Sequence, residues 1–229
     1  MKHYTWLLFD ADGTLLDFEK AERCALCEAL AAHGVEATEE VITTYSAIND
    51  AIWKKIETGE FDRANLNRVR FSQLAERFGF TYDADQLGRD YFASMATQGH
   101  LIDGALALCQ ALKSRYSLAI ITNGTASVQH GRLDGTPLLA CMEGHFISQE
   151  VGAEKPSPAF FDAVEAAIPG FDRARALVIG DSLSSDIAGG IAAGIDTCWY
   201  NPAGKPAPAD RTPTYTVANY DELRALLGV

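Results

Sequence analysis

Short apolar runs and helical stretches alternate along most of the chain. Trp6-Leu7-Leu8-Phe9, Leu118-Ala119-Ile120-Ile121 and Ala176-Leu177-Val178-Ile179 are apolar at every position and lead into Asp10, Thr122-Asn123-Gly124 and Gly180-Asp181. A strand-length run without polar interruption predicts a strand buried on both faces, as in a parallel sheet. From Glu19 to about Ala96 the period changes, with Leu26 and Leu30, then Ile48, Ile52 and Ile56, recurring at helical spacing and no convincing strand. Breaks near Gly34, Thr58-Gly59-Glu60 and Gly79 divide this stretch into about four helices joined by short turns. Asp103-Gly104 opens a helix carrying Leu106, Leu108 and Leu112, after which strands and helices alternate up to a terminal helix near residues 223–227. Residues 201–213, rich in Pro and Ala, predict a surface loop. The pattern is that of an α/β protein, with a parallel-sheet core built from 1–17 and 98–229 and an all-helical domain inserted at 18–97.

Length and composition allow this division. With 229 residues, 48% of them hydrophobic, the chain can bury a large core and a smaller insert. A net charge of −12 argues against a nucleic-acid polymer or an anionic membrane as partner, because both would be repelled. Met1-Lys2-His3-Tyr4 leads directly into the first strand without a signal-peptide pattern, and no long charge-free apolar stretch follows, so a cytoplasmic location is expected. Cys24, Cys27, Cys109, Cys141 and Cys198 are odd in number and scattered, which predicts reduced thiols rather than a disulfide framework. Cys24 and Cys27 form C-x-x-C, but no second pair exists and the surrounding sequence is helical, so they are expected to pack as small apolar residues.

The ends of the predicted strands carry the chemistry. Asp10 and Asp12 stand at the C-terminal edge of the first, where ligands bind in parallel α/β sheets. Asp181 and Asp186 repeat the arrangement after Ile179, and Thr122-Asn123-Gly124 offers a hydroxyl and a turn able to aim backbone N–H groups at an anion. Lys155 precedes Pro156, which would suit the first turn of a helix. Asp17 is expected to cap the first inserted helix, Thr14 to fix the turn after Asp12, and Gly13 to relieve crowding or adopt positive φ. An acidic protein must capture an anionic substrate locally, and Lys155 with a divalent cation on carboxylate oxygens, of the kind Mg²⁺ prefers, would do so. Spacing thus supports a metal-dependent phosphoryl hydrolase.

In order, Asp10-x-Asp12-x-Thr14, Thr122, Lys155, and Asp181 with Asp186 match the four motifs of the haloacid dehalogenase superfamily, which the chain resembles over nearly its whole length. The resemblance implies a three-layer Rossmann-like core with a helical cap acting as lid, and Mg²⁺ as cofactor. It implies that Asp10 is the nucleophile and a metal ligand, forming an aspartyl-phosphate, and that Asp12 is the general acid and base, its backbone carbonyl also on the metal. Asp181 would be a further ligand, and Asp186 would orient a metal-bound water or Lys155. Thr122, the Asn123 amide and Lys155 would hold the phosphoryl oxygens. Asp12 argues for phosphate esters over haloacids, since halide leaves without protonation.

Within the superfamily, residues 147–156, Gln129, Arg132-Leu133 and Cys198-Trp199 are similar to the bacterial house-cleaning pyrimidine 5'-nucleotidases, as are Asn49, Trp53, Gly59 and Arg70-Phe71 in the insert. Residues 134–143 depart from that branch, whose members run more smoothly into a Tyr-Phe-Asp element. The resemblance implies small substrates, pyrimidine nucleoside monophosphates, with Asn49, Trp53 and Arg70 as contacts, while the helical spacing of Asn49 and Trp53 with Tyr45 and Ile56 reads first as packing. A sugar-phosphate phosphatase, a phosphomutase and a non-catalytic phosphate-binding module stay open as alternatives.

Overall fold

The computed structural model describes residues 2–57, 59–209 and 211–229; Met1, Thr58 and Asp210, which belong to the expected leaderless start, second helix break and Pro-rich loop, lie outside them. Two compact units form: one contains the chain up to Asp17 together with His100–Val229, the other Phe18–Gly99. The second boundary lies two residues beyond the expected 98. Gln98 is held with the helices by its amide, which donates to Glu28 at 3.4 Å, and the chain rejoins the sheet unit where Asp17 N donates to His100 O at 2.9 Å.

In the sheet unit the strands are β1 (Trp6–Asp10), β2 (Ser117–Thr122), β3 (Gly144–Ile147), β4 (Ala176–Gly180), β5 (Asp196–Tyr200) and β6 (Tyr215–Val217). All pairings are parallel, in the order β3-β2-β1-β4-β5-β6. The helices of this unit are numbered after the four of the other: α5 (Ala105–Leu112), α6 (Ala126–Asp134), α7 (Ser148–Val151), α8 (Pro158–Ala167), α9 (Ala188–Ala192) and α10 (Tyr220–Leu227).

Side-chain alternation makes three layers from these elements. Leu7, Phe9, Leu118, Ile120, Leu177 and Ile179 face one side, against Leu108 and Leu112 of α5 and Leu223 and Leu227 of α10. Leu8, Ala119, Ile121 and Val178 face the other, against Phe160, Phe161 and Val164 of α8. The departure at residues 134–143 closes as a 3₁₀ turn, Pro137–Cys141, whose Leu138 and Cys141 are buried in the first of these cores.

β1 is the central strand and the place where the winding direction reverses, since β2 and β4 flank it on opposite sides. Such a reversal opens a crevice outside the strand ends. Register aligns those ends: Asp10 is opposite Ile121, one residue before Thr122, and Phe9 is opposite Ile179, just before Gly180-Asp181.

The other unit is all helical: α1 (Phe18–Ala32), α2 (Glu39–Glu57), α3 (Leu66–Phe78) and α4 (Ala84–Met95). Its core follows helical spacings of three and four, through Leu26 and Leu30, Ile52 and Ile56, Phe71 and Leu74, and Leu87 and Tyr91. Asp83 caps α4, its carboxylate accepting from Asp85 N at 2.9 Å and Gln86 N at 3.0 Å. Cys24 and Cys27 are free, half-buried thiols on α1.

Candidate active site

Four of the expected residues converge at the ends of β1, β2 and β4. Lys155 is buried, and its ammonium donates to Asp10 Oδ1 at 2.6 Å, Asp186 Oδ1 at 2.6 Å and the carbonyl of Ile121 at 2.9 Å. These three bonds exhaust its donors. Burial alone would lower the lysine pKa, but the charges and hydrogen bonds of Asp10 and Asp186 hold it above the ordinary range.

Carboxylate oxygens of Asp10, Asp181 and Asp186 lie within 4.8 Å of one another. Burial, then the charge of Asp186, pushes Asp10 well above the usual carboxylate range, against the pull of Lys155. Desolvation followed by Asp186 raises Asp181 to about 7. Burial dominates both shifts, and the geometry adds that three clustered acids lie beside one ammonium.

Local structure explains how the acids are aimed. After β4 the chain enters a π-helical turn, Leu183–Ile187, at whose start the Ser182 hydroxyl accepts from Ser185 N at 3.2 Å. The turn brings Asp186 back so that its Oδ2 accepts from Ser182 N at 3.1 Å while Oδ1 meets Lys155. Gly13 has φ +78°, and a Cβ there would stand 2.6 Å from Asp181 Oδ2, so both explanations expected for this glycine hold. Thr14 Oγ1 reaches Asp181 Oδ1 at 3.5 Å, while Tyr220 donates to Thr14 O at 2.7 Å.

Thr122 is buried, and its hydroxyl oxygen accepts from Gly124 N at 3.0 Å and Gln129 Nε2 at 2.9 Å. Its own proton is therefore left to donate to a third group. Asn123 acts through its side chain, pairing with the Lys155 main chain: Nδ2 donates to Lys155 O at 2.7 Å, and Oδ1 accepts from Lys155 N at 2.9 Å. Pro156 is not in a helical turn. α8 begins at Pro158, whose missing N–H costs nothing at that position, and Ser157 caps it by accepting from Ala159 N at 3.3 Å.

Asp12 sits apart from the three-acid cluster. Its Oδ1 pairs with Arg132 Nη1 and its Oδ2 accepts from Gln129 Nε2 at 2.6 Å. Sequence patterning gave these two α6 residues no chemical role. Their spacing of three puts them on one helix face, but nothing in the chain indicates that this face turns toward β1. Trp199 was similarly silent: its indole N–H donates to the carbonyl of Asp181 at 2.9 Å and steadies that turn.

The residues expected to meet substrate from the insert are not brought together at a surface. Arg70 is buried within the helical unit, donating from Nη1 to Asn49 Oδ1 at 3.0 Å and from Nη2 to Asn67 Oδ1 at 2.5 Å, with the Tyr91 ring centre 4.5 Å away. Asn49 in turn donates to Glu22 Oε1 at 2.9 Å, and Ser46 to Glu22 Oε2 at 2.6 Å. Asn49 and Arg70 thus form an internal polar network, in keeping with the packing reading of this helical spacing. Trp53 is half-buried beside Ile52, Ile56 and Leu66, with the Arg63 guanidinium 5.1 Å from its ring centre.

Comparison with known proteins gives one consistent answer. A family model described as haloacid dehalogenase-like hydrolase matches residues 4–194. Pyrimidine 5'-nucleotidase PynA of Streptococcus pneumoniae is 39% identical over 221 residues, 96% of this chain and 93% of that protein. Pyrimidine 5'-nucleotidase YjjG of Escherichia coli is 34% identical over 224 residues, 98% of each. The crystal structure of the HAD-hydrolase YfnB of Bacillus subtilis bound to magnesium matches with a TM-score of 0.96 at 36% identity, covering 100% of both chains. Strand-end acids, buried lysine and full-length similarity agree: the chain belongs to the haloacid dehalogenase-like hydrolases.

Proposed function

We propose that this chain is a Mg²⁺-dependent phosphomonoesterase that works through a phospho-aspartate on Asp10, with pyrimidine nucleoside 5'-monophosphates as substrates. The observation that carries this reading is the imbalance around Asp10, where three clustered acids face one lysine. Formally, two negative charges are left over, and the donors are all hard oxygens, a combination that fits a divalent magnesium ion. Asp10 and Asp181 would hold it together with the backbone carbonyl of Asp12. When bound, the metal supplies charge neutralisation at the phosphoryl oxygens.

The chain's own residues account for the rest. Lys155 fixes Oδ1 of Asp10, leaving the second oxygen to attack phosphorus as the bond to the leaving oxygen breaks. Asp12 gives its proton to that oxygen, then takes one from the water that attacks phosphorus and releases Asp10 with inorganic phosphate. The Thr122 hydroxyl, the Asn123 amide and the charge of Lys155 steady the phosphoryl oxygens. Asp186 keeps Lys155 in place.

The nucleotide preference is supported by the two relatives named pyrimidine 5'-nucleotidases. A small substrate also suits a chain of net charge −12, which disfavours polyanionic partners. Among the described residues no helix is long and apolar enough to cross a membrane.

The test is phosphate release from a panel of nucleoside monophosphates and sugar phosphates with Mg²⁺, with wild type beside Asp10→Asn. Selective turnover of pyrimidine nucleotides, reduced at least roughly a thousandfold in the variant, is expected. Preference for sugar phosphates would overturn the substrate assignment, and undiminished turnover by Asp10→Asn would overturn the mechanism.

A further inference from the structure

We propose that Arg132 and Gln129 are positioning residues that aim the Asp12 carboxyl, with Gln129 coupling it to the Thr122 hydroxyl. This rests on the acid–base role of Asp12 given above. Each oxygen of Asp12 receives one donor, Oδ1 from Arg132 and Oδ2 from Gln129, so rotation of the carboxyl is fixed at both ends. Both donors are at most 1% exposed, whereas the Asp12 side chain is 27% exposed, so the carboxyl is gripped from behind and open in front.

Four further features show a built arrangement. Gln129 Nε2 divides its two N–H groups between Asp12 at 2.6 Å and Thr122 at 2.9 Å. Its Oε1 is buried with no hydrogen-bond partner among the described residues. Leaving an acceptor unsatisfied costs stability. Gly124 leaves room for the same side chain: a Cβ there would lie 2.3 Å from Gln129 Nε2 and 2.4 Å from Cγ. The helix itself is pinned at its start, where Ala126 N donates to Gln149 Oε1 at 2.8 Å.

An ion pair that merely steadied α6 would affect all substrates alike. A pair that aims a proton donor matters most when the leaving oxygen is a poor leaving group. The full-length protein with Mg²⁺ is therefore assayed on a nucleoside 5'-monophosphate, which releases an alkoxide, and on p-nitrophenyl phosphate, which releases a stable phenolate. Arg132→Met is expected to lower kcat/KM, which reports the step up to departure of the leaving group, about 10- to 100-fold on the nucleotide and only about threefold on the aryl ester, with Arg132→Lys recovering part of the loss. Gln129→Leu should follow the same trend and also raise KM, through Thr122. In an Asp12→Asn background neither substitution should lower kcat further.

Equal losses on both esters, or full additivity with Asp12→Asn, would overturn the inference. Should Arg132→Met fail to fold, Arg132→Lys and Gln129→Leu carry the same comparison. If Asp12→Asn itself loses equally on both esters, the acid role fails and the inference with it. A leaving-group-dependent Asp12→Asn beside a leaving-group-independent Arg132→Lys and Gln129→Leu would overturn the inference alone.

Discussion

Asn123 grips the main chain of Lys155 from both sides, accepting from its N–H at 2.9 Å and donating to its carbonyl at 2.7 Å. The turn after β2 thereby sets the position of a lysine 32 residues further on. Lys155 in turn joins β1 and β4 through Asp10 and Asp186. Three strand ends are tied by one ammonium, and that tie is structural as well as chemical.

Replacing Lys155 by Met should therefore destabilise the fold. Asp10 and Asp186 would be left buried without their cation, a situation that costs about 3–5 kcal/mol. Denaturant unfolding of Lys155→Met beside wild type checks this, and a loss below about 1 kcal/mol would show that the acids relax by other means.

Magnesium should raise thermal stability, because it would bind the folded acid cluster and not the dispersed unfolded chain. At about 100 times its Kd an ion contributes roughly 2.7 kcal/mol, which for a protein of this size means about 5–10 °C in Tm. The shift should vanish with EDTA and be much reduced in Asp181→Asn. An unchanged shift in that variant would place the ion elsewhere.

A pH dependence should originate in the helical unit. Burial raises Glu22 from 4.5 to about 7, with Ser46 and Arg70 opposing and Asp50 reinforcing the shift. Because the folded state holds this proton more tightly, stability is fully present below pH about 4.5 and falls as pH rises to about 7. The full effect is on the order of 3 kcal/mol. Glu22→Gln should gain on wild type by up to that amount across the window, as read from urea midpoints at several pH values. A constant offset between the two proteins would contradict the burial argument.

The sequence revealed Asp10, Asp181, Asp186 and Lys155 because each lies at or beside an element end, and the order of buried strands determines which ends are neighbours. Gln129 and Arg132 were opaque for the opposite reason. A polar residue on a helix reads as solvent-facing unless the helix's rotation against the sheet is known, and that rotation is a tertiary property. The network that holds Asn49 and Arg70 was hidden in the same way. Their helical spacing is plain, yet nothing local shows that Glu22, from another helix, meets them in the interior. Pro156 misled because two prolines flank Ser157, and only the capping geometry distinguishes which begins the helix.

The point where the chain leaves and rejoins the sheet unit has a consequence for how such proteins diversify. Leu16 bridges Leu101, and Asp17 N meets His100 O at 2.9 Å, so the departing and returning segments touch. Any folded segment whose two ends lie a few ångströms apart can be spliced in at this junction without disturbing the register of β1. The helical unit is an exchangeable cassette, and selection can replace it while the strand-end acids stay where they are.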